Sequence, residues 1–144
     1  MHYWLQRAKC TYRYAKEQSA LETAYTYAKK SYDDGGQDIH YKASLTLSII
    51  CCAISEHEKG QDKINECRLA IRYANEAVFS DFYQQNNTSL QLDLDAKQGK
   101  SHSGIQMVVN ACNFIKQNST DMEDVEISES VLDRLHKLSL EKNS

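Results

Sequence analysis

Cys51, Cys52, His57 and Cys67 are the residue types that hold zinc or, with a histidine as base, attack a carbonyl. Their spacing suits neither task. Adjacent cysteines on a helix diverge by about 100°, and the paired Cys-x-x-Cys knuckles of a zinc site are missing. These thiols are therefore expected to be small buried hydrophobes, with no metal and no cofactor. Nothing in the sequence sets His40, His57 or His102 against a thiol as its base. Gly99-Lys100-Ser101-His102-Ser103-Gly104 has the composition of a phosphate-binding loop but lacks its residue order and a preceding buried strand, so it reads as a polar turn. Glu56 with Glu58, and Asp93 with Asp95, stand two apart and diverge on a helix, which rules them out as close acid/base pairs. No catalytic residue is assigned, and the chain is read as a non-enzyme.

Aromatic and basic residues are more informative. Seven of the nine tyrosines (Tyr3, Tyr12, Tyr14, Tyr25, Tyr27, Tyr32 and Tyr41) fall in the first 41 residues, together with Trp4. One narrow core stripe cannot absorb them all, and Tyr14, Tyr25 and Tyr27 lie off the main apolar stripes. Tyrosine at a surface offers a rigid apolar face with a polar tip. Arg7, Arg13 and Lys16 beside them can receive carboxylates of a peptide or phosphates of RNA. Arg7, Arg13, Tyr14, Lys16, Tyr25 and Tyr27 are thus the expected partner-binding residues. Charge agrees with this: residues 1–32 carry six basic and two acidic side chains, or +4, within a chain whose net charge is -3. Residues 119–144 carry seven acidic and three basic, or -4.

The elements that must position these residues are helical. With no proline and five glycines in 144 residues, long uninterrupted helices are favoured and an all-α fold is expected. A first helix is predicted over about residues 3–18. A capping box at Ser19-Ala20-Leu21-Glu22 starts a second, which stops at Asp33-Asp34-Gly35-Gly36, where glycine takes up the left-handed conformation. Asp38 caps a third, running to about residue 59, and its apolar centre, Leu45–Ile54, makes it the central buried element. Gly60-Gln61-Asp62 repeats the stop and cap, and a fourth helix continues to about residue 82. A fifth follows over about residues 90–97, then a sixth over about 105–115. After an acidic gap, a last amphipathic helix begins near Ser130, with Val131, Leu132, Leu135 and Leu138 as its apolar stripe.

Ala24-Tyr25-Thr26-Tyr27-Ala28-Lys29-Lys30-Ser31 and, 46 positions later, Ala70-Ile71-Arg72-Tyr73-Ala74-Asn75-Glu76-Ala77 share a pattern of small residues at i, i+4 and i+7. Such a bare face lets a neighbouring helix approach closely, and its recurrence implies a repeat. With Trp4 and Ala8 on the first helix and Ala20 opening the second, the pattern resembles the tetratricopeptide repeat. Arg7 stands where that family carries leucine, Ala24 and Tyr27 invert its order of sizes, and Tyr32 takes the place of its closing proline. The resemblance implies antiparallel helical hairpins stacked over residues 1–118, with residues 119–144 as an acidic linker and a helix capping the array; a non-repeating helical bundle is the alternative all-α arrangement. It also implies a protein-interaction module or adaptor that binds a peptide or helix of a partner.

The expected partner is an acidic protein or peptide segment. Self-association through the terminal stripe is an alternative, and nucleic-acid binding by the basic end is the second reading, with overall acidity and the lack of a recognition-helix motif against it. Five scattered cysteines, Cys10 and Cys112 with those named, an N-terminus without a secretion signal and no apolar run of membrane-spanning length lead to the expectation of a cytoplasmic protein. The Asn-x-Ser/Thr matches at Asn86, Asn87 and Asn118 are then fortuitous.

Overall fold

The computed structural model describes residues 2–81 and 104–143, with the side chains of residues 2, 37 and 138–143 outside the description. The described residues form six helices: α1 (His2–Tyr14), α2 (Gln18–Asp34), α3 (Gln37–Ser55), α4 (Gly60–Val78), α5 (Gly104–Asn118) and α6 (Met122–Asn143). Short turns join α1 to α2, α3 to α4 and α5 to α6, so each pair is an antiparallel hairpin. Each helix packs on its chain neighbour, and α3 also touches α1 and α5, while α4 touches α6. The fold is all-α, a stack of helical hairpins in two layers: α1, α3 and α5 in one, α2, α4 and α6 in the other.

Side-chain contacts fix the direction within the second layer. Tyr25 meets Tyr73 and, further along both helices, Tyr32 meets Glu76, at sequence separations of 48 and 44. These bracket the 46-residue offset of the repeated pattern, so α2 and α4 run parallel, in the register of the repeat. Arg68 and Arg72 meet Asp124, and Arg134 meets Val78, so α4 and α6 also run parallel. The small residues do the expected packing: Ala24, Ala28, Ser31, Ala70, Ala74 and Ala77 are all buried.

Helix α3 is the axis of the molecule, buried without a break from Ala43 to Ser55. Its polar residues are satisfied by backbone. Ser44 and Ser48 donate to the carbonyls of Tyr73 and Ala70 on α4, both at 2.7 Å, while Thr46 and Ser55 bond carbonyls of α3 itself. Only a close helix–helix approach lets so short a side chain reach the neighbouring backbone, and Ala70 and Ala74 permit it.

Several ends differ from the expected ones. α1 stops at Tyr14 rather than near residue 18. α2 begins at Gln18 behind an extended Glu17 that makes no side-chain cap, so Ser19 falls inside the first turn and the capping box is not built. α3 starts after Gly36, which puts Asp38 in its first turn rather than at its cap, and it ends at Ser55. Gly35 does end α2, but with φ -81° and ψ 158°, which is extended. A side chain is excluded there by proximity, since a Cβ would lie 2.7 Å from both Ile39 Cγ2 and the Ser31 carbonyl oxygen. Among the described residues Gly60, at φ 59°, is the glycine that uses the left-handed region, at the start of α4.

The largest difference lies at the C-terminal end. Helix α6 begins at Met122, so residues 122–129 are helix rather than an acidic gap. Asp121 caps it by accepting from the Glu123 N–H at 2.9 Å. α6 pairs with α5 as a third hairpin, with Val131 buried and Leu132 and Leu135 packed against the core. The helix expected over residues 90–97, Gly99–Ser103 and the Leu138 side chain lie outside the described residues.

Candidate functional site

Helix α1 places Tyr3 and Arg7 one turn apart, and the α1–α2 hairpin brings Tyr27 and Lys30 alongside them. Arg7 is the centre of the cluster. Its Nη1 donates to the Tyr3 hydroxyl at 2.7 Å and its Nη2 to the Tyr27 hydroxyl at 3.0 Å. The guanidinium carbon lies 4.7 Å from the centroid of the Tyr27 ring and 5.6 Å from that of Tyr3. Trp4 stacks on Tyr27 with centroids 5.7 Å apart, and Lys30 Nζ stands 4.6 Å from the Trp4 ring. Tyr3 meets Trp4 edge-on at 4.9 Å. The hydrogen bond it donates to Tyr3, followed by the electrostatic interaction with the Tyr27 hydroxyl, raises the Arg7 pKa and favours its charged form.

This face joins two cations to three aromatic rings, and among the described residues neither Arg7 nor Lys30 forms an ion pair with a carboxylate. Tyr3 is 56% exposed. Rings held by cation–π and stacking contacts are already ordered, so binding on them forfeits little side-chain entropy.

The structure divides the six expected binding residues. Arg7 and Tyr27 sit together at the centre of this face. Tyr14, 60% exposed, lies on the same stripe of α1 seven residues beyond Arg7, about 10 Å along the helix, and extends the face. Lys16 is exposed in the turn after α1, and Arg13 is half-buried, its Nε shielded from water with no hydrogen-bond partner. Tyr25 points the other way, towards α4, because two residues on a helix turn the side chain by about 200°. Trp4, Tyr3 and Lys30 join Arg7 and Tyr27 in its stead. The i, i+4 spacing of Tyr3 and Arg7 and the i, i+3 spacing of Tyr27 and Lys30 carried that signal.

Tyr25 belongs to a second cluster, between α2 and α4. Its hydroxyl and that of Tyr73 lie 3.0 Å apart. The Tyr32 hydroxyl donates to both oxygens of Glu76, at 3.0 and 2.7 Å. His40 stacks on Tyr32 with centroids 4.2 Å apart and sets Nε2 3.4 Å from Glu76. Burial first, then these hydrogen bonds, pushes the Tyr25 and Tyr32 hydroxyls well above their ordinary range, so both remain protonated. His40, Glu76 and Ser44 are hydrolase residue types, but the buried Ser44 hydroxyl is committed to the Tyr73 carbonyl. A cavity of about 460 Å³ beside them is lined by Gly35, Gly36, Tyr41 and Phe79 as well as by His40 and Glu76.

Four of the cysteines, Cys51, Cys52, Cys67 and Cys112, are buried, and Cys10 is exposed. Burial raises the thiol pKa of all four, that of Cys112 to about 12, so they are held as thiols. Among the described residues no group of three or more His, Cys, Asp or Glu side chains is arranged to hold a metal ion. No helix among them is long and apolar enough to cross a membrane.

Compared with known proteins, the chain matches no family model, no curated protein and no solved structure.

Proposed function

We propose that this protein is an interaction module that holds an acidic segment of a partner protein on the α1–α2 face. The observation that carries this reading is the Tyr3–Trp4–Arg7–Tyr27–Lys30 cluster, in which ordered aromatic surface surrounds two cations that no carboxylate of the described residues neutralises. Aromatic rings supply contact area, and Arg7 and Lys30 supply orientation and faster encounter with a negatively charged segment. A stack of hairpins of the tetratricopeptide kind is a rigid scaffold for such a face. Reduced buried thiols suit a cytoplasmic setting.

Affinity capture from a lysate, with intact protein and a Trp4→Ala/Arg7→Glu variant compared by mass spectrometry, tests this. The expected result is a protein held by the native chain, lost from the variant and indifferent to nuclease. Capture that nuclease abolishes would favour nucleic-acid binding instead, and equal capture by both proteins would move the site off this face.

A further inference from the structure

On the other side of α2, a cavity of about 330 Å³ opens between the start of α2, the end of α3 and the middle of α4. Its floor is apolar, formed by Ile54, the Tyr25 ring and Leu69, an aliphatic side chain left 41% exposed. Its walls are polar, with Gln18 and Thr26 beside three carboxylates. Glu22 from α2, Glu58 from the α3–α4 turn and Glu66 from α4 line it together. Among the described residues none of these carboxylates has an ion-pair partner, and Glu58 Oε1 is shielded from water with no hydrogen bond. The carboxylates also act on one another: burial and then repulsion from Glu66, Asp62 and Glu22 raise the Glu58 pKa, while burial and Glu22 raise that of Glu66.

Two other carboxylates of this layer do have partners. Glu76 receives Tyr32, and Asp124 receives Arg68 and Arg72. A cleft with an apolar floor, three convergent carboxylates and no cation matches one kind of side chain, an aliphatic stem carrying a positive head. We infer that this groove is a second docking site, which takes a lysine or arginine side chain of a partner protein, its stem laid on Leu69 and Ile54 and its head among Glu22, Glu58 and Glu66.

The inference is independent of the α1–α2 face. It places contacts of opposite sign on the two sides of α2, the aromatic-basic face around Tyr27 and the acidic groove beside Tyr25, so that a segment with an acidic stretch and a basic residue can be held at both.

The test is an NMR titration of the intact 144-residue chain with the peptide acetyl-Gly-Lys-Leu-Lys-Gly-amide, using acetyl-Gly-Glu-Leu-Glu-Gly-amide as its charge-reversed control. The lysine peptide is expected to shift the amide resonances of Glu22, Ile54, Glu58, Glu66 and Leu69 and to leave those around Arg7 unmoved. Glu58→Gln/Glu66→Gln should weaken that binding by about tenfold, and Glu22→Gln, at an exposed position, should weaken it by less. Both variants keep the side-chain shape, and the first relieves repulsion, so an unchanged or raised Tm serves as the folding control. Absence of shifts in the groove, equal shifts with both peptides, or undiminished binding by the folded double variant would overturn the inference.

Discussion

The α2–α4 and α4–α6 junctions both set parallel helices in one layer, yet α4 and α6 approach closely while α2 and α4 meet through long side chains, and different chemistry holds them. At the first, long side chains bridge the helices through hydroxyls: Tyr25 meets Tyr73, and Tyr32 donates to the Glu76 carboxylate. At the second, one buried carboxylate gathers the charged contacts, beside the Arg134 bond to the Val78 carbonyl. Asp124, with no exposure to water, takes Arg68 Nε at 2.6 Å and Arg72 Nη2 at 2.7 Å, and Arg72 reaches Glu123 at 3.5 Å. The Asp124 bond also raises the Arg72 pKa. Spreading the first contact over several hydroxyls makes each replaceable, whereas concentrating the second in one buried charge makes it fragile.

The contrast can be broken most forcefully at Asp124. Asp124→Ala should cost about 2–3 kcal/mol, below the roughly 3–5 kcal/mol of splitting a fully buried ion pair, because Arg68 and Arg72 are partly exposed and can rehydrate. Chemical denaturation measures it, and α5 and α6 should lose amide protection before the first two hairpins do. Ala74→Leu tests the bare faces: with Ala74 buried against α3, the larger side chain should cost about 1–3 kcal/mol by overpacking. Thermal denaturation of Ala28→Leu should give a similar loss if the two copies of the pattern are equivalent.

Tyr73→Phe removes one hydroxyl from the first junction and should cost about 1 kcal/mol, well below Asp124→Ala. Equal losses at Tyr73 and Asp124 would erase the contrast.

The smallest effect, and the one of opposite sign, belongs to Glu66. Its folded-state pKa lies above the ordinary carboxylate value, so its penalty is fully present above the raised pKa and absent below the unfolded value. Glu66→Gln should therefore raise Tm slightly at pH 7, and the gain should vanish below pH 4.5, the unshifted value. A gain that persists in acid would show that charge is not its source.

Much of the first four helices is legible in the sequence. The apolar run at Leu45–Ile54 identifies the buried axis, and the 46-residue recurrence of small residues anticipates the register of α2 on α4. The second junction is not legible. Asp124 lies in an acidic stretch whose average polarity suggests a solvated linker, and its partners stand 56 and 52 residues away. Nothing local distinguishes it from exposed Glu126 or Glu129. At the candidate site, residue types point to the basic-aromatic end, but membership depends on helix faces: Tyr25 and Tyr27 are alike in composition and turn to opposite sides of α2. The acidic groove collects Glu22, Glu58 and Glu66 from three elements and leaves no local pattern.

The central claim is that the Arg7–Tyr27 face binds through charge and aromatic contact. It is tested most directly by stopped-flow association of the captured partner with native protein and with Arg7→Glu/Lys30→Glu, each at two salt concentrations, with circular dichroism as the folding control. The predicted result is a folded variant that associates at least about tenfold more slowly at low salt and has lost the native protein's salt dependence. A folded variant with the native rate and the native salt dependence would contradict the claim.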